Sequence, residues 1–247
     1  MKKTLSPALE KLLVARQQHN EIPDELLRII WEPIKEAIEL KSDGYVSEKW
    51  EFRIYIWDDI RGLENKGIIW PGQKVVELGS GPGNGSMIFA YKGYPVTLIE
   101  MQHALVELAK KYFTKYKREL NNPDVRFIEG SYYPMEEIER RKANPMSHTI
   151  LLEEKILGNL GYTHSDNPHL FIDCWEDVYE KHKFSLREFD IFYAYLWNAQ
   201  IPSVADIFRR YAKHDAKLFL FAEGAEEIAP LVGLKQHPES NVIYTKA

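Results

Sequence analysis

The segment VVELGSGPGNGS, residues 75–86, constrains the fold of this chain more than any other part of the sequence. A run typical of a buried strand is followed by glycine at every second position from 79 to 85, and then by residues suited to a helix. Glycine lets the backbone turn sharply and lets a ligand approach without interference from a Cβ atom. The segment therefore predicts a strand, a tight turn beside a ligand and the start of a helix.

Short apolar runs continue after this segment and alternate with stretches of helical periodicity. Runs that are apolar on both faces are typical of parallel strands covered by helices on two sides. We place strands at 74–78, 96–100, 125–129, 190–196 and 217–222, helices at 84–92, 102–119 and 203–213, and a closing hairpin at 231–236 and 242–246. The prediction is an α/β fold with a doubly wound, mostly parallel sheet of about seven strands and helices on both faces.

Two regions lie outside this alternation. Before residue 70 the apolar residues recur at helical spacing, so we expect N-terminal helices within 1–70 that cap the ligand site. Between 134 and 188 the chain is much longer than a common strand-to-helix connection, and we interpret it as a partly helical insertion before the fourth strand. The predicted domains are therefore 1–70 and 71–247, and the second carries the insertion.

The charge of the chain bears on its partners. The 247 residues include 32 Lys and Arg against 37 Asp and Glu, a formal net charge of −5, so the surface as a whole does not attract polyanions. Basic residues gather at 110–111, 115–118 and 140–142, which we interpret as solvated helix faces, with a nucleic-acid interface as the alternative. We expect a protein or small-molecule partner.

Cysteine usage and the N-terminus indicate the compartment. Cys174 is the single cysteine and cannot form an intramolecular disulfide, and the charged start MKKTLSPALEKLL has too short an apolar stretch for a signal peptide. Both features predict a cytoplasmic protein. No run approaches the roughly 20 apolar residues of a membrane span, so we expect no membrane partner. The eight histidines and the cysteine show no spacing typical of metal ligands, and we expect no metal site.

Acidic residues near the glycine-rich turn argue against a dinucleotide ligand. A pyrophosphate-binding fingerprint that starts at Gly79 needs glycine at position 84, where the chain has Asn84. Glu77 would repel phosphate but suits a ligand with ammonium and sulfonium charges. Glu100 ends the next predicted strand, close to the roughly 20 residues that separate a glycine turn from a ribose-binding acid. A nicotinamide-dependent oxidoreductase is therefore a remote alternative.

Together these residues resemble the first motif of the class I S-adenosylmethionine (SAM) dependent methyltransferases, in which an acidic residue stands two positions before a G-x-G-x-G run. The resemblance implies SAM as the cofactor, a carboxylate at the end of the second strand that holds both ribose hydroxyls, and adenine contacts after the third strand. At the adenine position Ser131 stands where the family more commonly has Asp. The cofactor-binding residues that the resemblance implies are Glu77, Gly79, Ser80, Gly81, Pro82, Gly83, Glu100, Met101, Gly130, Ser131 and Tyr132.

The end of the fourth strand should face the transferred methyl group, because open α/β sheets bind ligands outside the carboxyl ends of their strands. Tyr195, Trp197 and Asn198 are the candidates there. They could form an aromatic wall with one polar group that suits an amine, or they could simply pack beneath the insertion. The Asn/Asp-Pro-Pro-Tyr/Phe signature of enzymes that methylate the amino groups of adenine or glutamine is absent.

The predicted function is SAM-dependent methyl transfer, by in-line displacement, to an unidentified protein or small-molecule acceptor. Alignment of the two reactants can supply most of the acceleration, so a general base is optional. His103, Glu223, Tyr132 and Tyr133 are the nearest candidates for such a base. An RNA or DNA methyltransferase, and a non-catalytic module that binds SAM or a partner, remain open as alternatives.

Overall fold

A computed structural model describes residues 22–39, 55–121, 123–143, 177–195, 200–222 and 224–247. Its helices are α1 (Asp24–Glu39), α2 (Tyr55–Asn65), α3 (Asn84–Tyr91), α4 (His103–Lys115), α5 (Met135–Ala143), α6 (Val178–Lys181), α7 (Ile201–Tyr211) and α8 (Ala225–Leu231). Its strands are β1 (Val75–Leu78), β2 (Val96–Glu100), β3 (Val125–Glu129), β4 (Ile191–Tyr195), β5 (Lys217–Phe221), β6 (Leu234–Gln236) and β7 (Ile243–Lys246). Within these stretches no helix has the length and apolar character that a membrane crossing requires.

The seven strands form one sheet in the order β3-β2-β1-β4-β5-β7-β6. Strands β1 to β5 are parallel to one another, and β7 runs antiparallel to both β5 and β6. The predicted doubly wound, mostly parallel sheet is thereby confirmed, and the closing hairpin extends it beyond β5. The chain order reverses between β1 and β4, and the crevice outside the carboxyl ends of strands at such a reversal is the usual ligand site.

Each face of the sheet has its own buried core, because alternate residues of a strand point to opposite faces. On one face Val75 and Leu98 pack with the apolar sides of α3 and α4. On the other face Val76 and Phe192 pack with α5, α7 and α8. Helices therefore cover both faces, as strands that are apolar on both sides require.

Helix α1 adds a further layer over α3 and α4. Its apolar residues Leu26, Ile30 and Ile34 are at most 1% exposed and belong to the first core. The helix therefore shares one buried core with α3 and α4. Residues 1–21 and 40–54 lie outside the described residues, and the capping of the ligand site by the 1–70 segment stays a prediction.

Charged and polar groups border the contact between α1 and α4. The Glu36 carboxylate accepts hydrogen bonds from Lys111 Nζ at 2.5 Å and from the Tyr112 hydroxyl at 2.7 Å. One turn earlier in α1, Glu32 pairs with Lys115. Two of the basic runs noted in the sequence are therefore partly neutralised by acidic residues of the same chain.

The predicted strands of the parallel region agree with the structure to within one residue at each end. Helix α4 ends at Lys115, earlier than predicted. No helix was predicted where α8 lies, and the first strand of the closing hairpin begins at Leu234 instead of residue 231, which ends α8. Helices α5 and α6 lie near the two ends of the predicted insertion, whose residues 144–176 are outside the described part of the chain.

Close packing of α3 on the sheet predicts that Gly85 tolerates no side chain. An added Cβ atom would lie 2.8 Å from Cζ of Tyr193 and 2.9 Å from Oε1 of Glu77, and both neighbours are buried. Gly85→Ala should therefore lower the free energy of unfolding by about 1–3 kcal/mol, a typical cost of overpacking. Urea unfolding followed by circular dichroism measures the change.

Gly62→Ala is the matched control for this substitution. Gly62 lies inside α2, and nothing lies within 4 Å of an added Cβ atom. Alanine there should raise the free energy of unfolding by up to about 1 kcal/mol, because it is the better helix former. Equal stability of the two variants would contradict the described packing.

Candidate functional site

Three loops meet at the carboxyl edge of the sheet. The turn after β1 is held to β2 because Gly79 N and Ser80 N both donate to the carbonyl oxygen of Ile99, at 2.9 and 3.1 Å. The loop after β3 is held to β2 in turn, since Gly130 N donates to the carbonyl oxygen of Glu100 at 2.9 Å. The structure therefore brings the predicted glycine turn, Glu100 and the loop after β3 together beside the reversal of strand order.

The Glu100 side chain joins the glycine turn to the start of α4. Its Oε2 accepts a hydrogen bond from Gly81 N at 2.8 Å, and its Oε1 accepts one from Gln102 N at 2.9 Å. Burial raises the pKa of Glu100, and the N–H groups of Gln102, Gly81 and Met101 oppose that rise. The residue is partly exposed, and each oxygen keeps a lone pair after these bonds. The carboxylate can therefore accept two more hydrogen bonds, as a ligand with neighbouring hydroxyls would supply.

Glu77 belongs to β1, and its side chain reaches the first turn of α3. It is 4% exposed, and its Oε2 accepts hydrogen bonds from the backbone N–H of Ser86 at 2.9 Å and from the Ser86 hydroxyl at 2.5 Å. Burial raises the pKa of Glu77 to about 8 against the effect of these bonds, and Glu100 adds to the rise. The carboxyl therefore supports the turn from inside. Its predicted contact with a ligand stays a prediction.

Gly79 and Gly83 serve different purposes in the turn. Gly79 has a φ of +71° and is exposed, and the nearest atom to an added Cβ would be Cε1 of Tyr132, at 3.7 Å. Gly83 has a φ of +81°, and an added Cβ would lie 2.6 Å from Cδ2 of Leu98 in β2. The first glycine keeps the crevice open, whereas the second lets α3 approach the sheet closely.

The predicted cofactor-binding residues fall into two groups by exposure. Those with exposed or partly exposed surface are Gly79, Gly81, Glu100, Met101 and Gly130. Those that are buried are Glu77, Ser80, Pro82, Gly83, Ser131 and Tyr132. The accessible group consists of backbone, one carboxylate and the Met101 side chain, which is 48% exposed beside that carboxylate.

The loop after β3 places an aromatic side chain at the glycine turn. Tyr132 stacks on Tyr133 with ring centroids 4.8 Å apart, and it is the ring beside Gly79. Ser131 is 2% exposed, and its hydroxyl oxygen accepts a hydrogen bond from Tyr133 N at 3.0 Å. The Ser131 hydroxyl therefore braces its own loop.

An ion pair at the outer rim of the site was not predicted. Nδ1 of His103 lies 2.8 Å from Oε2 of Glu129, and this carboxylate raises the pKa of His103. Glu129 occupies the same register position on β3 that Glu100 occupies on β2. Its place at the end of a predicted strand was the available signal. His103, a candidate base in the sequence, is an exposed partner of a carboxylate in the structure.

The acceptor side of the site is described only in part. Tyr195 is partly buried and packs against the first core. Trp197, Asn198 and Glu223 lie outside the described residues. A second aromatic residue of this strand, Tyr193, packs against α3 at Gly85. The acceptor roles of Tyr195, Trp197 and Asn198 stay predictions.

No family model matches the chain, and no curated protein matches it. Solved structures are similar to the chain at low identity, and three examples follow. The SAM-dependent methyltransferase from Agrobacterium tumefaciens has 16% identity and a TM-score of 0.42 over 73% of this chain and 48% of that one. The O-methyltransferase from Bacillus cereus in complex with SAH has 10% identity and a TM-score of 0.47 over 86% and 74%. The RNA methyltransferase from Salinibacter ruber in complex with S-adenosyl-L-homocysteine has 16% identity and a TM-score of 0.41 over 77% of this chain and 88% of that one. The chain spans about half the length of the first of these, and the likeness is one of fold.

Glu77 predicts a pH dependence of stability with a definite sign. Its carboxyl keeps a proton up to about pH 8 in the folded chain, but only up to about pH 4.3 in the unfolded chain. Between these values the folded state binds more protons, so the free energy of unfolding falls as the pH rises and levels off above about pH 8. In Glu77→Gln this contribution should vanish, because the amide does not ionise and its oxygen can still accept from Ser86.

Urea unfolding at about pH 4, 6 and 8 tests this expectation. The stability of Glu77→Gln relative to wild type should rise steadily across the series. Glu227→Gln, at an exposed position of α8, is the control and should follow wild type. A constant difference between wild type and Glu77→Gln at all three pH values would show that the buried carboxyl does not titrate in this range.

Proposed function

We propose that this chain is a SAM-dependent methyltransferase that acts on a protein or small-molecule acceptor. The observation that carries the proposal is the Glu100 carboxylate at the carboxyl edge of the sheet. It is fixed by Gly81 N and Gln102 N and retains one lone pair on each oxygen. Two adjacent ribose hydroxyls can donate to such a group at once, and it stands at the reversal of strand order where open α/β sheets bind nucleosides.

The remaining residues of the site also fit SAM. The exposed Met101 follows Glu100 and offers an apolar surface to a base. At the turn, Oδ1 of Asn84 is buried and has no hydrogen-bond partner among the described residues. An unpaired acceptor at this position favours a ligand with a donor, such as the ammonium of an amino acid. These features support our assignment of contacts to the base, the ribose and the amino-acid end of SAM.

A dinucleotide fits the same site poorly. Helix N-termini bind pyrophosphate through free backbone N–H groups, but in α3 the N–H of Ser86 already donates to the Glu77 carboxyl. Asn84 stands where a dinucleotide fingerprint that starts at Gly79 needs glycine. These observations support SAM over a nicotinamide cofactor.

The proposed reaction is a direct displacement. When bound, SAM supplies a methyl group on a positively charged sulfur; the acceptor's lone pair forms the new bond to carbon while the C–S electron pair passes to sulfur. The chain contributes orientation, since Glu100 and the glycine turn fix one reactant at the carboxyl edge of the sheet. An acceptor that carries a proton passes it to water or to a base. Trp197 and Asn198, which follow β4, are our candidates for contact with the acceptor.

Charge pairing within the chain supports a protein or small-molecule acceptor over nucleic acid. Lys111 pairs with Glu36, and Lys115 pairs with Glu32. In the third basic run, Arg140 donates to acidic side chains of α5 and α7. Clusters that would otherwise attract phosphates are thereby partly neutralised. The single cysteine supports a cytoplasmic location.

Calorimetry with SAM, with S-adenosylhomocysteine and with NAD tests the cofactor assignment. Wild type should bind the two sulfur ligands with one-to-one stoichiometry and should not bind NAD. Glu100→Ala should weaken both sulfur ligands about 100-fold, because two hydrogen bonds to a charged group are lost. Glu129→Ala is the matched control, since it removes the carboxylate at the same register position of the neighbouring strand.

The outcomes of this experiment separate the alternatives. Binding of NAD, or no binding of either sulfur ligand, would overturn the proposed function. Equal affinities in wild type and Glu100→Ala would show that the ribose is held elsewhere. Binding of SAM without methyl transfer to any member of a broad acceptor panel would favour the non-catalytic module.

Fluorescence anisotropy with a labelled RNA and a labelled DNA tests the acceptor class. At low salt the wild-type chain should show no saturable binding, because the net charge is −5 and basic side chains are paired internally. The double variant Glu32→Gln, Glu36→Gln releases two of these lysines and should bind more tightly than wild type. Saturable binding by wild type with a steep dependence on salt concentration would favour a nucleic-acid acceptor.

A further inference from the structure

The start of α6 contacts the loop after β3, although the residues in contact are nearly fifty positions apart in sequence. A Cβ atom on Gly130 would overlap Cγ1 of Val178, so α6 occupies space that only glycine leaves free. The hydroxyl of Tyr179 donates to the carbonyl oxygen of Tyr132 at 2.6 Å. The far end of the predicted insertion is therefore fastened to the loop that borders the candidate cofactor site.

Tyr179 is held firmly enough to act as a fixed donor. Asp177 caps α6, because its Oδ1 accepts hydrogen bonds from Tyr179 N at 2.8 Å and from Glu180 N at 3.1 Å. The Tyr179 ring packs against Phe184 with centroids 4.8 Å apart. Both the backbone and the ring of Tyr179 are thus anchored independently of the bond that its hydroxyl makes to the loop.

The hydrogen bond from Tyr179 holds the backbone of Tyr132. The Tyr132 ring is the side chain beside Gly79 of the glycine turn. The neighbouring hydrogen bond, from Tyr133 N to Ser131 Oγ, lies within the loop. Gly130 N holds the loop to β2 and Met135 N holds it to Asp177, but neither bond is made by Tyr132 itself. The hydrogen bond from the Tyr179 hydroxyl, by contrast, joins residues 47 positions apart in sequence and holds the Tyr132 carbonyl group to α6.

We propose that Tyr179 is a positioning residue for the cofactor: its hydroxyl keeps the loop after β3, and with it Tyr132, closed against the glycine turn. The proposal rests on the proposed function, since SAM is the ligand that this loop would border. When only a fraction of molecules has the loop in the binding position, the apparent Kd rises in inverse proportion to that fraction. Loss of one hydrogen bond should therefore weaken binding without removing any direct contact.

Tyr179→Phe isolates the hydroxyl, because the ring and its packing on Phe184 remain. Calorimetry should show a Kd for SAM and for S-adenosylhomocysteine about five- to tenfold above wild type. Hydrogen exchange should be faster in peptides that cover 130–136. Tyr244→Phe is the matched control: it also deletes a buried hydroxyl, which has no hydrogen-bond partner among the described residues and lies on β7. It should leave both measurements at wild-type values.

A purely structural role for Tyr179 would lower the melting temperature and leave the Kd of the folded protein unchanged. Equal Kd values in wild type and Tyr179→Phe, with wild type binding normally, would therefore overturn this inference alone. Failure of wild type to bind either sulfur ligand would instead overturn the proposed function and the cofactor role of Tyr179 with it. Unchanged exchange in 130–136 would show that the hydroxyl does not hold the loop at all.

Discussion

The hydrogen bonds from Ser86 to the buried Glu77 carboxyl are the interaction on which the carboxyl edge of the sheet depends. They join the first turn of α3 to β1. Because Gly85 has no side chain, the helix can pack directly against the Tyr193 ring. Once α3 is seated there, the turn between strand and helix has little freedom. Its N–H groups then reach Ile99 and Glu100 on the next strand, so one buried contact orients the whole glycine turn.

Burial of the Glu77 carboxyl group costs free energy when the group is ionised. Burial disfavours the charged form of Glu77, while the N-terminus of a helix and two donors favour it. Because the pKa settles at about 8, burial outweighs the donors. A polar residue without charge, such as Gln, could bond to Ser86 at lower cost to stability. The approach of a positive charge would favour the ionised form of Glu77.

The glycine turn and the position of Glu100 beside it could be predicted from sequence because their determinants are local. Strand, turn and helix follow one another within residues 75–91, and Glu100 ends the next strand, so periodicity and spacing locate them together. The support for these residues could not be predicted in the same way. The Tyr179 hydroxyl and the Val178 side chain reach the loop after β3 from a distant part of the chain, and no periodic pattern marks them. Helix α8 was missed for a different reason: seven residues with an internal Pro230 give too short a pattern.

The ion pairs between α1 and α4 affect the charge of the surface more than they affect stability. The ion pairs between α1 and α4 join side chains that are about a third to a half exposed, and such pairs contribute at most about 1 kcal/mol each. Burial of Leu26, Ile30 and Ile34 contributes more, at about 1.5–3 kcal/mol per side chain. Helix α1 would therefore remain docked without its glutamates. What those glutamates change is the field outside α4, where unpaired lysines would form a basic stripe. Their pairing weakens the positive field on this face, in keeping with the proposed protein or small-molecule acceptor.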